Sequence, residues 1–195
     1  MIYCYDCRFE NRATPCLAAD GRRDFDKLAA AYIDELQTRK RTGARPVDSW
    51  AWECVSELER SDPHSALFFI LVALDSLTVE SQRCLAVLAA GPLENILDHF
   101  GEEIIGAIEV IGRRSAKFRL LLSAVWGERR VKPQVWRRIR AVLAEGPRLD
   151  DDHRTPGYGT GAAVASEPDV RAQLETDVLD DLGGRAKAAA IVGLD

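Results

Sequence analysis

The run Ala66-Leu67-Phe68-Phe69-Ile70-Leu71-Val72-Ala73-Leu74 is apolar on every side, and a helix without a polar face has to be covered by other elements. Directly before it stands Asp62-Pro63. Aspartate accepts from the free amides of a first helical turn, and proline is tolerated there because its missing donor would be unpaired anyway. The pair predicts a helix start and the run predicts the central helix of a domain. It is also far shorter than the roughly 20 residues that span a bilayer, so an integral membrane protein is not expected.

Hydrophobic spacing is helical along the rest of the chain, and no alternating run of β-branched residues suggests a strand. From Asp24, a first helix gathers Phe25, Leu28, Ala29, Tyr32 and Leu36 on one face. A second begins near Asp48 as N-cap and carries Trp50, Ala51, Val55 and Leu58. Beyond the central helix, Thr78 opens a helix that Gly91 ends, and Pro92 opens a short one that Gly101 ends. Glu102 and Glu103 then occupy the first turn of a longer helix, and Arg113 and Arg114 lie just past its last turn, as the helix dipole favours. Ser115 and Pro133 open two further helices.

After Gly146-Pro147 come Asp150-Asp151-Asp152 and the breaker-rich Thr155 to Gly161, with no apolar period. Glu167-Pro168 opens a last amphipathic helix carrying Val170, Leu174, Val178 and Leu182, which either docks on the body or waits for a partner. The expected organisation is a cysteine-bearing arm (1–23), a helical core (24–146), a flexible linker (147–166) and a C-terminal helix with its tail (167–195). Short connections favour antiparallel neighbours, which gives an all-α fold: a multi-helix bundle or a short HEAT-like stack of antiparallel helical hairpins.

In Leu88-Ala89-Ala90-Gly91-Pro92-Leu93-Glu94, and in Lys117-Phe118-Arg119 with Val125-Trp126, the chain resembles a bacterial all-helical domain family of unknown function. Trp50-Ala51-Trp52-Glu53 is a further landmark. The resemblance runs from about Asp24 to Leu143 and implies a helical domain; it supplies no catalytic residue.

The net charge of -5 hides an uneven layout. Residues 113–140 hold Arg113, Arg114, Lys117, Arg119, Arg129, Arg130, Lys132, Arg137, Arg138 and Arg140 against the single acid Glu128, while both flanking regions are acidic. Such a zone either recruits an external polyanion or is neutralised by acidic neighbours within the fold, and neutralisation is the more economical reading. Arginines at this density suit carboxylate or phosphate recognition. Trp126 and Trp136 fall at helical core spacing and are expected to pack inside.

Cys4-x-x-Cys7 with Cys16 offers three thiolates, one short of a tetrahedral zinc site. Only a distant His64, His99 or Cys84 is left to complete it, so reduced cysteines are expected, with zinc as the alternative. Cys54 and Cys84 read as small buried hydrophobes. His64, His99 and His153 have no ligand-spaced partner. Gly157-x-Gly159-x-Gly161 lacks the strand or the Gly-Lys-Ser/Thr of a phosphate loop, and the common hydrolase signatures are missing.

The expected function is a non-enzymatic, cytoplasmic protein-protein interaction module, adaptor or immunity-like by analogy, that needs no cofactor and no membrane. It would use Arg113, Arg114, Lys117, Arg119, Arg129, Arg130, Arg137, Arg138 and Arg140, or the tail helix, to contact another protein. The alternative is a nucleic-acid-binding regulator acting through segment 113–140. Were a catalytic site to assemble in three dimensions, Glu94, His99 and the neighbouring arginines would be its first candidates.

Overall fold

The computed structural model describes residues 16–42, 50–81, 83–144, 146 and 167–194. Among them the chain is helical and forms no strand; one isolated antiparallel bridge joins Leu17 to Arg23. The all-α expectation holds.

The signals read from the sequence begin most of the helices. Helix α1 spans Phe25–Thr42 and α2 spans Trp50–Ser61. Helix α3, Pro63–Asp75, starts where Asp62-Pro63 places it, with the Asp62 carboxylate accepting from Ser65 N at 3.0 Å. Ser115 caps α6, Ala116–Ser123, by accepting from Phe118 N, and Pro133 opens α7, Pro133–Leu143. Asp48 lies outside the described residues. Two amides at the start of α2 are taken by Glu35 of α1, whose Oε1 and Oε2 accept from Ala51 N and Trp52 N at 3.1 and 3.2 Å.

Helix α3 is the centre of the molecule. Ala66 to Leu74 are all buried, and α1, α2 and α5 pack around them together with the C-terminal helices. Tyr32 of α1 ties two sides of this core, stacking on Trp52 at 5.7 Å and meeting the Phe69 ring edge-on at 5.3 Å.

One expected helix end does not exist, and the other is a break inside a longer helix. Helix α4, Arg83–Leu88, runs through a π-helical turn at Ala89–Leu93 directly into α5, Glu94–Arg114. Gly91 therefore stops nothing, whereas the expected end at Gly101 coincides with a break at Phe100. The widened turn absorbs Pro92, and the axis bends at Phe100, the one residue inside α5 with non-helical angles (φ -126°, ψ 15°). Gly101 is needed for contact: a Cβ there would stand 3.0 Å from Val135 Cγ1 of α7. Gly112 is tighter still, with 2.4 Å to Val142 Cγ1. These pairings, 101 with 135 and 112 with 142, show α5 and α7 running parallel, with α6 returning between them.

The C-terminal segment is broken as well. In place of one long helix it forms α8 (Glu167–Leu174), α9 (Val178–Asp181) and α10 (Arg185–Val192). Asp177 caps α9 by accepting from Leu179 N and Asp180 N, and Gly183 and Gly184 turn the chain with φ of 87° and 96°, where a side chain would be strained. The segment docks on the body: Leu174, Val178, Leu182, Ala188 and Val192 are buried.

Candidate interaction surface

Helix α5 presents carboxylates and the segment 129–138 presents bases, and the parallel packing lines them up. Arg130 pairs with Asp98 at 2.9 Å and with Glu94 at 2.8 Å. Lys132 and Gln134 both reach Glu102, and Arg138 grips Glu109 through Nε and Nη2 at 2.8 and 2.7 Å. These bonds hold the Glu102 and Glu109 carboxyls below their ordinary range. Arg130, Lys132 and Arg138 are thus neutralised inside the fold.

Lys117 and Arg119 leave the expected anion-binding face altogether. Lys117 is fully buried. Its ammonium donates to the carbonyls of Asp75 and Leu77 at the end of α3 and of Leu174 and Thr176 at the end of α8, at 2.9 to 3.4 Å. Two helix C-termini, each carrying partial negative charge, converge on one cation. Burial lowers the Lys117 pKa, while Asp75, Asp177 and Asp181 pull it back up. The half-buried Arg119 donates to the carbonyls of Gly112 and Gly146 and so clasps the C-terminal ends of α5 and α7. Both side chains are spent on backbone, which a count of charges cannot foresee.

The remaining arginines, Arg113, Arg114, Arg129, Arg137 and Arg140, are exposed. Arg137 and Arg140 lie on the outer flank of α7, away from its buried Val135, Ile139 and Val142 and from the α5 pairing of Arg138. Arg113 and Arg114 end α5, which the Gly112–Val142 contact sets beside the end of α7. Arg129 lies at the other end of the pair, in a short 3-10 turn next to Trp126.

Trp126 corrects the expectation that it packs inside: its side is 61% exposed, whereas Trp136 is buried. Its backbone is fixed, because Trp126 N donates to Glu94 Oε2 at 2.8 Å. Glu94, buried, accepts from Arg130 through its other oxygen. The two stretches that carried the family resemblance, Gly91-Pro92-Leu93-Glu94 and Val125-Trp126, therefore meet through one carboxylate.

The other candidates stay apart. His99 is exposed and its Nδ1 lies 2.9 Å from its own helix's Asn95 carbonyl. Asn95 in turn donates to Glu59, whose pKa burial raises. A recess of about 160 Å³ at the α5 bend, lined by Asp98, His99, Glu102, Glu103 and Lys132 among others, holds no nucleophile with a base. Cys16 is a reduced core residue, as are Cys54 and Cys84. Cys4, Cys7, His153 and the 157–161 glycines lie outside the described residues. Among the described residues no group of three His, Cys, Asp or Glu side chains could hold a metal ion, and no helix is long and apolar enough to cross a membrane.

Residues 37–146, more than half of the chain, match the family described as a family of unknown function, DUF6869. The chain belongs to DUF6869. The DUF6869 region begins later than the resemblance seen in the sequence, within α1, and ends just past α7; it includes the Glu94–Trp126 contact and excludes the C-terminal helices. No curated protein and no solved structure matches the chain.

Proposed function

We propose that the protein is a non-enzymatic helical interaction module, adaptor or immunity-like, that works in the cytoplasm and binds an acidic surface of another protein. The observation that carries this reading is the sorting of the basic zone: its inner members are consumed by α5 carboxylates and backbone carbonyls, while Arg137 and Arg140 of α7 and Arg113 and Arg114 at the end of α5 stay exposed. Arginine's planar fork pairs with carboxylates in two parallel hydrogen bonds, and arginine is enriched where interfaces concentrate their binding energy. The tail helix, the other contact considered, is already docked on the body and is not used in this reading.

The test compares the tagged full chain with its Arg137→Glu/Arg140→Glu variant in native lysate, with and without nuclease, at low and high salt. A stoichiometric protein that survives nuclease, is retained by the wild type and is lost by the charge reversal is the expected result. Retention of nucleic acid alone, with a steep loss at high salt, would replace this reading by the regulator, because phosphate contacts release counterions. Identical capture by both chains would remove the arginine edge from the interface.

A further inference from the structure

Four of the polar clasps that hold α8–α10 on the body are made to backbone. Lys117 donates to the carbonyls of Leu174 and Thr176 at 3.2 and 2.9 Å, and Asp75 Oδ1 accepts from Leu179 N at 3.2 Å. At the far end, His64 Nδ1 lies 2.5 Å from the Val192 carbonyl, with its Nε2 on Glu103. A clasp to a carbonyl or an amide reads where a helix ends and is indifferent to which side chains the helix carries. Between the clasps the body takes up Leu174, Val178, Leu182, Ala188 and Val192, all of them aliphatic. Side-chain pairs join tail and body at the Asp75–Asp177 carboxyls and on the rim, where Arg185 reaches Asp26 at 2.6 Å and lies over the Phe68 ring.

The walls of this cleft, α3, α5 and α6, belong to the DUF6869 region, and its occupant does not. The occupant carries Asp177, the cap of α9, and Asp181 at its end, next to the Thr176 carbonyl that Lys117 holds, and both carboxylates act on the Lys117 charge. We propose that the cleft between α3, α5 and α6 is a helix-binding groove, that α8–α10 is its exchangeable occupant in cis, and that an acidic amphipathic helical segment of another protein displaces it. This groove lies apart from the α7 arginine edge and stands or falls independently of it.

The experiment opens the groove in the full chain with Leu182→Asp, a change confined to the tail. Hydrogen exchange is expected to rise in residues 167–194 and on the covered faces of α3 and α5, while α1, α2 and α7 keep their protection. A fluorescein-labelled peptide of residues 167–194 then binds the variant saturably and the wild type at least tenfold more weakly. A second peptide that keeps only the aliphatic spacing and the acids at 177 and 181 binds the variant comparably, and a scrambled peptide does not. Loss of protection throughout the variant would make the tail an integral part of the core and overturn the proposal. So would equal binding by both chains, binding of the scrambled peptide, or failure of the spacing-only peptide.

Discussion

Trp126 N and Arg130 Nη1 both donate to the Glu94 carboxylate, each at 2.8 Å, so one buried side chain fixes the turn after α6 to the start of α5. Glu94→Ala strands a half-buried amide and frees the Arg130 fork, and is expected to lower the unfolding free energy in urea by about 2 kcal/mol. Asp98→Ala removes only the more exposed arm and should cost under about 1 kcal/mol. Iodide quenching of Trp126 emission checks the local effect: only the Glu94 variant should change it.

The glycines of α5 have opposite roles. A Cβ at Gly112 would meet Val142 Cγ1 at 2.4 Å, whereas one at exposed Gly106 meets nothing within 4 Å. Gly106→Ala should therefore stabilise the helix by about 0.5–1 kcal/mol through reduced backbone freedom. Gly112→Ala should destabilise by about 1–3 kcal/mol through overpacking. Thermal melts of the two variants suffice, and shifts of the same sign would refute the assignment.

Lys117→Met keeps the length of the side chain but leaves four carbonyls facing an apolar group. Removing one member of a buried polar cluster costs about 3 kcal/mol. A variant as stable as the wild type in a urea titration would show that the ammonium is not held as described.

The acids around Lys117 set a pH dependence. Asp75 is pushed up to about 6, first by burial and then by its hydrogen bond with Asp177, against the pull of the Leu179 amide and of Lys117. Asp177 is pushed down, chiefly by that same hydrogen bond. A carboxyl raised in the folded state contributes stability that is fully present below its unfolded value, roughly pH 4, and is lost as the pH rises through 6. Asp177 has the opposite sense, with a contribution present above roughly pH 4 and lost below. Between these limits Asp75 governs, so residues 167–194 should be better protected from hydrogen exchange at pH 5 than at pH 7.5, after correction for intrinsic rates. Asp75→Asn should flatten the difference; a dependence of the reverse sign would contradict the pairing.

Much of the architecture is legible in the residues themselves. Asp62-Pro63, Ser115 and Pro133 mark helix starts because their chemistry acts locally, and the Ala66–Leu74 run announces its own burial. Gly91 misleads because a π-helical turn carries the chain through Gly91-Pro92 without a stop, while Gly101 both follows the break at Phe100 and admits Val135. Lys117 misleads because lysine is ordinarily exposed. The available signal was its position one helical turn before Leu120 and Leu121, on a face where every neighbour is buried. The division of the arginines into neutralised and exposed sets depends on the parallel register of α5 and α7, which no local pattern encodes.

Helix α7 ends the packed array among the described residues, touching α5 and α6 on one side and carrying Arg137 and Arg140 on the other. Helical stacks with a bare terminal face are prone to grow by adding copies of themselves, and a polar end repeat prevents it. Two such edges brought together would set guanidinium against guanidinium. In the proposed reading, the flank that receives an acidic partner is also one on which a second copy of itself would meet like charge.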